Sequence, residues 1–342
     1  MIILAIETSC DETAIAVLET KNGFKILSNI VASQIKIHAP WGGVVPNLAK
    51  REHIKNLPLV LKRALKEAKI GIKKINLIAV TVGPGLEPAL WTGINFAEEL
   101  YKNLKSQNPN LKIIGINHME GHIFSAILDS KNKIVFPALA LLVSGGHTEL
   151  VLVKDWLKYK IIGQTRDDAA GEAFDKVAKM LGLPYPGGPQ IAAKAAQNFK
   201  SQNSNLKINL PRPMINSKDY DFSFSGLKTA VLYKLKELGK AKSQRLKVEI
   251  CAEFQQAVID VLISKTIRAV KEYKIKTVIL GGGVAANKEL RKQLGNKTNL
   301  LLPEIKFTTD NAAMIAVAAY FHAPKRKIKN SKKLEAKGNL SL

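Results

Sequence analysis

The chain has 342 residues, 46% hydrophobic and 23% charged, which predicts a folded protein of two lobes rather than a disordered chain. Its two cysteines exclude a disulfide framework, and no apolar run reaches the ~18 residues of a membrane span. The N-terminus has no basic leader, so a cytoplasmic protein is expected. The net charge of +24 predicts a polyanionic partner such as RNA or DNA, although a lysine-rich surface bias would give the same excess.

Two similar hairpins predict an internal duplication. Residues 2–6 and 14–18 are β-rich runs joined by the polar turn ETSCDET. Later in the chain, PALALLV and ELVLV flank the turn SGGHT in the same way. We therefore expect one lobe built on each hairpin.

The segments after each hairpin favour an α/β architecture. Apolar residues at helical spacing predict a helix through Ile54 and Leu65, a second through Phe174 and Leu181, and a third through Phe254 and Ile267. Strand, glycine turn and helix follow one another in LIAVTVGPGLEPALWTG and again in TVILGGGVAANKELRKQL. Residues 183–226, rich in Pro, Gly, Asn and Ser, predict a long irregular insertion.

His118 and His122 lie four residues apart in HMEGH, so on a helix both imidazoles project from one face and can share a cation. A pair without a third ligand is more often an ordinary surface or core feature. The zinc protease motif H-E-x-x-H needs Glu after the first His, where this chain has Met119. Glu120 lies about 200° around the helix from each histidine, so hydrolysis of that kind is disfavoured.

Two glycine-rich loops predict nucleotide binding between the lobes. Gly145 and Gly146 let backbone N–H groups converge on an anion, although a tight hairpin would also favour them. Gly281, Gly282 and Gly283 supply the second loop. Taken alone, Asp175 is typical of a solvated helix face, and Asp310 of a helix N-cap.

Eight motifs follow one another in order from residue 1 to about residue 322: MIILAIETSCDETAIAVL, GGVVPNLAKREH, HMEGHIFSAIL, LLVSGGHTELVLV, DDAAGEAFDKVAKMLGLPYPGGP, DFSFSGLKTA, LGGGVAANKELR and TTDNAAMIA. Together they resemble the bacterial TsaD type, formerly called glycoprotease. The resemblance implies an α/β, two-lobed fold like that of actin, sugar kinases and heat-shock ATPases, with an interlobe nucleotide cleft. The expected lobes are 1–120 and 121–322, followed by a basic, flexible tail at 323–342 that could equally bind RNA.

The same resemblance implies a reaction. The threonylcarbamoyl group of threonylcarbamoyl-AMP is transferred to the exocyclic amine of the adenosine 3′ of the anticodon, in tRNAs reading codons that begin with A, and AMP is released. One divalent metal is implied at His118, His122 and Asp310, with Fe²⁺ favoured and Zn²⁺ or Mg²⁺ as alternatives. The implied partners are tRNA, a smaller paralogue of the TsaB type as heterodimer, and a small ATPase of the TsaE type.

The implied substrate contacts map onto this sequence by motif: Leu142, Val143, Ser144, Gly145, Gly146, Asp175, Gly188 and Asn287. Asp11 and Glu12 match residues important for activity, and we hypothesise that they help to remove a proton from the amine. The sequence departs from relatives at Asn47, Gln164 and Ala192, which puts details of ligand contact in doubt. The SGGH form indicates the bacterial branch.

Two alternatives remain open from the sequence. A small-molecule kinase or carbamoyltransferase of the same fold explains the glycine loops, but leaves the histidine pair and the positive charge unexplained. A non-catalytic scaffold that binds RNA or protein predicts that the metal ligands are dispensable.

Overall fold

The computed structural model describes residues 1–21, 23–128, 133–198, 208–237, 243–323 and 334–342. The chain divides into two compact units. The first unit consists of Met1–Lys131 and Pro303–Leu342, and the second of Asn132–Leu302. Within the described ranges, no helix is both long enough and apolar enough to cross a membrane.

Each unit contains a five-stranded sheet. The strands of the first unit are Ile2–Glu7 (β1), Glu12–Glu19 (β2), Lys25–Ser33 (β3), Leu77–Gly83 (β4) and Lys112–Asn117 (β5). Those of the second unit are Ala138–Val143 (β6), Thr148–Asp155 (β7), Lys158–Gln164 (β8), Thr277–Gly281 (β9) and Leu300–Leu301 (β10). The sheet orders, β3-β2-β1-β4-β5 and β8-β7-β6-β9-β10, are the same, which confirms the predicted duplication.

Ten α-helices accompany these sheets in the described residues. The first unit has Ile35–His38 (α1), Pro46–Ala68 (α2), Glu87–Lys105 (α3), His118–Ser125 (α4) and Ala312–His322 (α10). The second unit has Ala170–Met180 (α5), Gly187–Asn198 (α6), Ser225–Glu237 (α7), Gln244–Glu272 (α8) and Lys288–Gly295 (α9). Both lobes are therefore α/β, as the sequence predicted.

The sheet of the first unit gathers polar residues at one edge. β4 runs parallel to β1, and β5 parallel to β4, so the carboxyl ends of all three strands lie at the same edge. β2 is antiparallel to β1 and begins at this edge with Glu12. Glu7, the last residue of β1, and Asn117, the last of β5, are therefore at the edge where Asp11 and Glu12 lie.

The lobe boundaries differ from those expected, because α10 belongs to the first unit. The second lobe was expected to span 121–322, but Pro303–Leu342 belongs to the first unit. Residues Ala312–Ala319 are all buried, because the helix is apolar on every side and packs against β1, β2 and α4. The insertion at 183–226 is also less irregular than expected, since it contains α6; residues 199–207 lie outside the described ranges.

The C-terminal residues differ from the expected flexible tail. Most of the cationic block, residues 324–333, lies outside the described ranges, but 334–342 dock on the first unit. Leu334 and Ala336 pack against its hydrophobic core. The Lys337 N–H donates to the Val82 carbonyl (2.8 Å), and the Gly85 N–H donates to the Gly338 carbonyl (3.0 Å). Apolar packing and backbone pairing thus outweigh the general tendency of a cationic terminus to stay solvated.

Truncation after residue 333 is expected to destabilise the first unit. Losing the partly buried Leu334 side chain alone costs about 1 to 2 kcal/mol of unfolding free energy, which lowers the melting temperature by about 2 to 6 °C. Calorimetry of the truncated chain and of Leu334→Ala measures this. Unchanged melting temperatures in both variants would show that the docked segment contributes no stability.

Candidate functional site

The three predicted metal ligands come together in the first unit. Nε2 of His118 and Nε2 of His122 each lie 3.3 Å from Oδ1 of Asp310. One ligand atom from each residue lies within 4.8 Å of the others. Both imidazoles are buried, whereas the Asp310 side chain is 18% exposed. The arrangement can therefore be reached from solvent on the carboxylate side.

Two local features of α10 and α4 position this cluster. Asn311, rather than Asp310, is the N-cap of α10, because its Oδ1 accepts the Met314 N–H at 3.2 Å. The carboxylate of Asp310 is thereby left for the histidines. A Cβ atom at Gly121 would lie 2.9 Å from Cγ of Met314 and from Cδ1 of Ile315, so any larger residue here would force these two side chains of α10 to shift.

Glu7 completes the cluster, and the sequence reasoning missed it. It is fully buried at the end of β1 and accepts hydrogen bonds from His118 Nδ1 (3.0 Å) and the Thr81 hydroxyl (2.6 Å). The bond at Nδ1 fixes the ring and leaves Nε2 facing Asp310 and His122, as second-sphere carboxylates do for metal-binding histidines. A single acid at the end of an otherwise apolar strand was the available signal.

The electrostatics of the cluster fit a cation. Burial opposes a charged His118, but the carboxylates of Glu7 and Asp310 outweigh it and raise the pKa of His118 well above its usual value. Burial lowers the pKa of His122, which favours its neutral form; its Nδ1 has no hydrogen-bond partner, and its Nε2 faces Asp310 at 3.3 Å. A neutral imidazole with an uncommitted nitrogen, beside a second imidazole and a carboxylate, is a donor set suited to a divalent metal.

Glu120 points away from the cluster, as predicted. Its Oε2 lies 2.8 Å from Nε2 of His322 on α10. It cannot serve as the general base of a zincin-like hydrolase at the histidine pair.

Asp11 and Glu12 form a second acidic group at the same sheet edge. Both side chains are largely buried, and Glu12 Oε1 accepts a hydrogen bond from the Ser33 hydroxyl (3.2 Å). Burial, and then the neighbouring carboxylates of Asp11 and Asp310, raise the pKa of Glu12 well above its usual value. Glu12 therefore retains a proton to a higher pH than an ordinary glutamate.

The predicted substrate loop lies in the second unit. The side chains of Leu142 and Val143 are fully buried, so only their backbone can contact a ligand. Gly145 and Gly146 are exposed. The Gly171 N–H, at the start of α5, donates to the Ser144 carbonyl (3.1 Å). Gly282 approaches the same loop, since a Cβ atom there would lie 2.4 Å from the Val143 carbonyl oxygen.

The remaining predicted contacts, on α5 and at the starts of α6 and α9, lie in the second unit. Oδ1 of Asp175 accepts the Gly187 N–H at 2.7 Å, which brings Asp175 next to Gly188 at the beginning of α6. Asn287 caps α9 through Oδ1 and donates from Nδ2 to Gln255 Oε1 at 2.8 Å. One amide hydrogen of Asn287 is left for a ligand. A substrate role for these residues stays a prediction.

Replacing Glu7 by Gln is expected to weaken divalent metal binding by about 10- to 100-fold, because the amide no longer polarises His118 as a carboxylate does. Calorimetric titration with Zn²⁺ measures the affinity. Glu120→Gln is the matched control, since Glu120 is also a buried acid but faces away from the cluster. Equal affinities in wild type and Glu7→Gln would contradict the positioning role.

Replacing Glu12 by Gln is expected to stabilise the metal-free protein. The folded-state pKa of Glu12 is raised, so its ionised form destabilises the fold as pH rises above the usual glutamate value. The variant should melt several degrees higher than wild type at about pH 8, with the difference vanishing near about pH 4. Glu19→Gln, at the far end of β2, is the control. A higher melting temperature of the variant at acid pH, or an unchanged one at neutral pH, would contradict a raised pKa of Glu12.

Solved structures show the fold. HypF of T. kodakarensis superposes with a TM-score of 0.60 at 14% identity, over 95% of this chain and 47% of that one. Component A of the (R)-2-hydroxyglutaryl-CoA dehydratase of Acidaminococcus fermentans superposes with a TM-score of 0.54 at 14% identity, over 95% of this chain and 100% of that one. The predicted two-lobed α/β fold of the actin and ATPase type is thus confirmed.

Sequence relatives show the family. The family model TsaD, tRNA N6-adenosine threonylcarbamoyltransferase, matches residues 25–317. A protein of that name from Thermosipho melanesiensis is 53% identical over 325 residues, which cover 94% of each chain. A protein of the same name from Bacillus subtilis is 48% identical, over 93% of this chain and 89% of that one. The chain therefore belongs to the TsaD family of tRNA N6-adenosine threonylcarbamoyltransferases, as its motifs predicted.

Proposed function

We propose that this transferase moves the threonylcarbamoyl group of threonylcarbamoyl-AMP to the exocyclic amine of the adenosine 3′ of a tRNA anticodon, and that transfer depends on a divalent metal. The observation that carries the metal dependence is the convergence of His118, His122 and Asp310, with His118 oriented by Glu7. Fe²⁺ is the proposed metal; Zn²⁺, which this donor set also accepts, and Mg²⁺, which prefers oxygen ligands, are the alternatives.

The reaction makes limited demands on the protein because the adenylate is already activated. The new bond joins the adenosine nitrogen to the carbamoyl carbon, the bond from that carbon to the phosphate oxygen breaks, and AMP leaves. A metal bound at the cluster would supply positive charge for oxygen atoms of the substrate. The protein has to hold the anhydride, orient the amine and accept one proton.

Asp11 and Glu12 are the proposed proton carriers. Both side chains are largely buried at the tip of the hairpin, so the pair is assigned to accept the proton that the amine loses. The Asp11 backbone carbonyl accepts the Gln34 N–H at 2.9 Å, which holds the tip of the hairpin in place.

The loops of the second unit are the proposed adenylate contacts. Backbone N–H groups at Gly145 and Gly146 can converge on phosphate oxygens without interference from a Cβ. The remaining amide hydrogen of Asn287, Asp175 on α5 and Gly188 at the start of α6 would contact other polar groups of the substrate. The predicted placement of the nucleotide in an interlobe cleft stays a prediction.

The proposed partners follow from the family. The net charge of +24 suits tRNA, whose phosphates supply much of the affinity for a basic protein. A TsaB-type paralogue as heterodimer, a TsaE-type ATPase and a cytoplasmic location are part of the same proposal.

Reconstitution tests this function. Purified protein, its partners, tRNA, threonine, bicarbonate, ATP and Fe²⁺ are combined, and the modified nucleoside is measured by mass spectrometry. His118→Ala and Asp310→Ala are each expected to lower the transfer rate by at least about 100-fold, the scale on which a lost charge-stabilising contact acts. His322→Gln, a histidine bonded to Glu120, is the control. Full modification by both alanine variants would support the scaffold alternative instead.

A further inference from the structure

Trp41 is an exposed tryptophan that the proposed mechanism does not use. It is 66% exposed, the highest value among the large hydrophobic residues of the described ranges, and Ile37 and Pro40 are exposed beside it. It ends a single 3-10 turn, Ala39–Trp41, and the next residue, Gly42, has a φ of +71°. The indole therefore stands on a short, sharply bent segment.

Buried hydrogen bonds anchor this turn on both sides. His38 is fully buried; its Nδ1 accepts the Val45 N–H (3.3 Å), and its Nε2 donates to Oε1 of Gln34 (3.0 Å). These two bonds connect the residues that precede and follow Trp41. An exposed side chain on an anchored turn loses little conformational entropy when a ligand stacks on it.

Further hydrogen bonds of Gln34 connect this turn to the hairpin tip that carries Asp11 and Glu12. The Gln34 N–H donates to the Asp11 carbonyl (2.9 Å). His53 receives the Gln34 amide at Nδ1 (3.3 Å) and donates from Nε2 to the Cys10 carbonyl (2.9 Å). Ser33 pairs with Glu12 in the sheet, so the segment leading to Trp41 leaves β3 at the edge where these acids lie.

The charged residues that flank Trp41 in the sequence indicate which kind of partner it fits. Residues 34–51 contain Lys36, Lys50 and Arg51 and no acidic residue. All three cations are exposed, and none forms an ion pair with another described residue. Aromatic side chains among unpaired cations are typical of surfaces that bind single-stranded nucleic acid. The centre of a protein interface is instead depleted in lysine, so a protein partner is disfavoured.

We infer that Trp41 stacks on an unpaired base in the RNA loop that carries the acceptor adenosine, while Lys36 and Arg51 contact its phosphates. The inference rests on the proposed function, because it assigns a binding role to the same edge of the first unit. It makes Trp41 a determinant of RNA binding and gives it no part in the chemistry.

Fluorescence separates RNA binding from transfer. Replacing Trp91 and Trp156 by Phe leaves Trp41 as the only fluorophore among the three tryptophans. A stem-loop RNA with the anticodon loop sequence is expected to quench it, and a fully paired RNA of the same length is not. In the wild-type background, Trp41→Ala is expected to weaken stem-loop binding by about 10- to 100-fold, while Trp41→Phe retains most of the affinity. Because the side chain is exposed, the melting temperature should not change.

Transfer kinetics with the full set of partners complete the test. Trp41→Ala is expected to raise the KM for tRNA and to leave the KM for threonylcarbamoyl-AMP unchanged. Stem-loop affinity within about twofold of wild type would overturn the inference. So would loss of the paralogue from the complex on gel filtration with RNA affinity intact, which would identify Trp41 as a protein contact. Quenching and the affinity loss without any tRNA modification would support stacking and contradict only the proposed reaction.

Discussion

The close packing of α10 against α4 at Gly121 is the contact on which the candidate site depends. It brings Asp310, at the start of one helix, to two histidines on the other, although the residues are distant in sequence. α10 can lie there because its alanine-rich surface is apolar on every side and is buried against β1, β2 and α4. A side chain at position 121 would force Met314 and Ile315 of α10 to shift and would disturb the contact between the two helices.

The cluster also gathers negative charge in a strongly basic protein. Glu7, Asp11, Glu12 and Asp310 are all largely buried in the first unit. Burial, and then repulsion by Asp11 and Asp310, raise the pKa of Glu12, and the carboxylates of Glu7 and Asp310 raise the pKa of His118. A divalent cation would relieve both effects, so metal binding and the stability of this unit should be coupled. Without a bound cation, these buried acids therefore lower the stability of the first unit.

The duplicated sheets serve different purposes at corresponding edges. In the first unit, the hairpin turn between β1 and β2 carries Asp11 and Glu12, and the neighbouring strand ends supply Glu7 and Asn117. In the second unit, the equivalent turn between β6 and β7 carries Gly145 and Gly146, which Gly171 and Gly282 allow other loops to approach. One topology thus provides acids and imidazoles in one copy and exposed backbone in the other.

The sequence by itself determined the fold class, the duplication and the family, because alternating strands, glycine turns and spaced motifs are local patterns. It also determined which faces of α4 hold His118 and Glu120, since helical geometry fixes both. Only the tertiary structure decided that α10 belongs to the first unit, that residues 334–342 dock there, and that Glu7 orients His118. These outcomes depend on burial and on contacts between distant segments, and neither leaves a periodic signal in the chain.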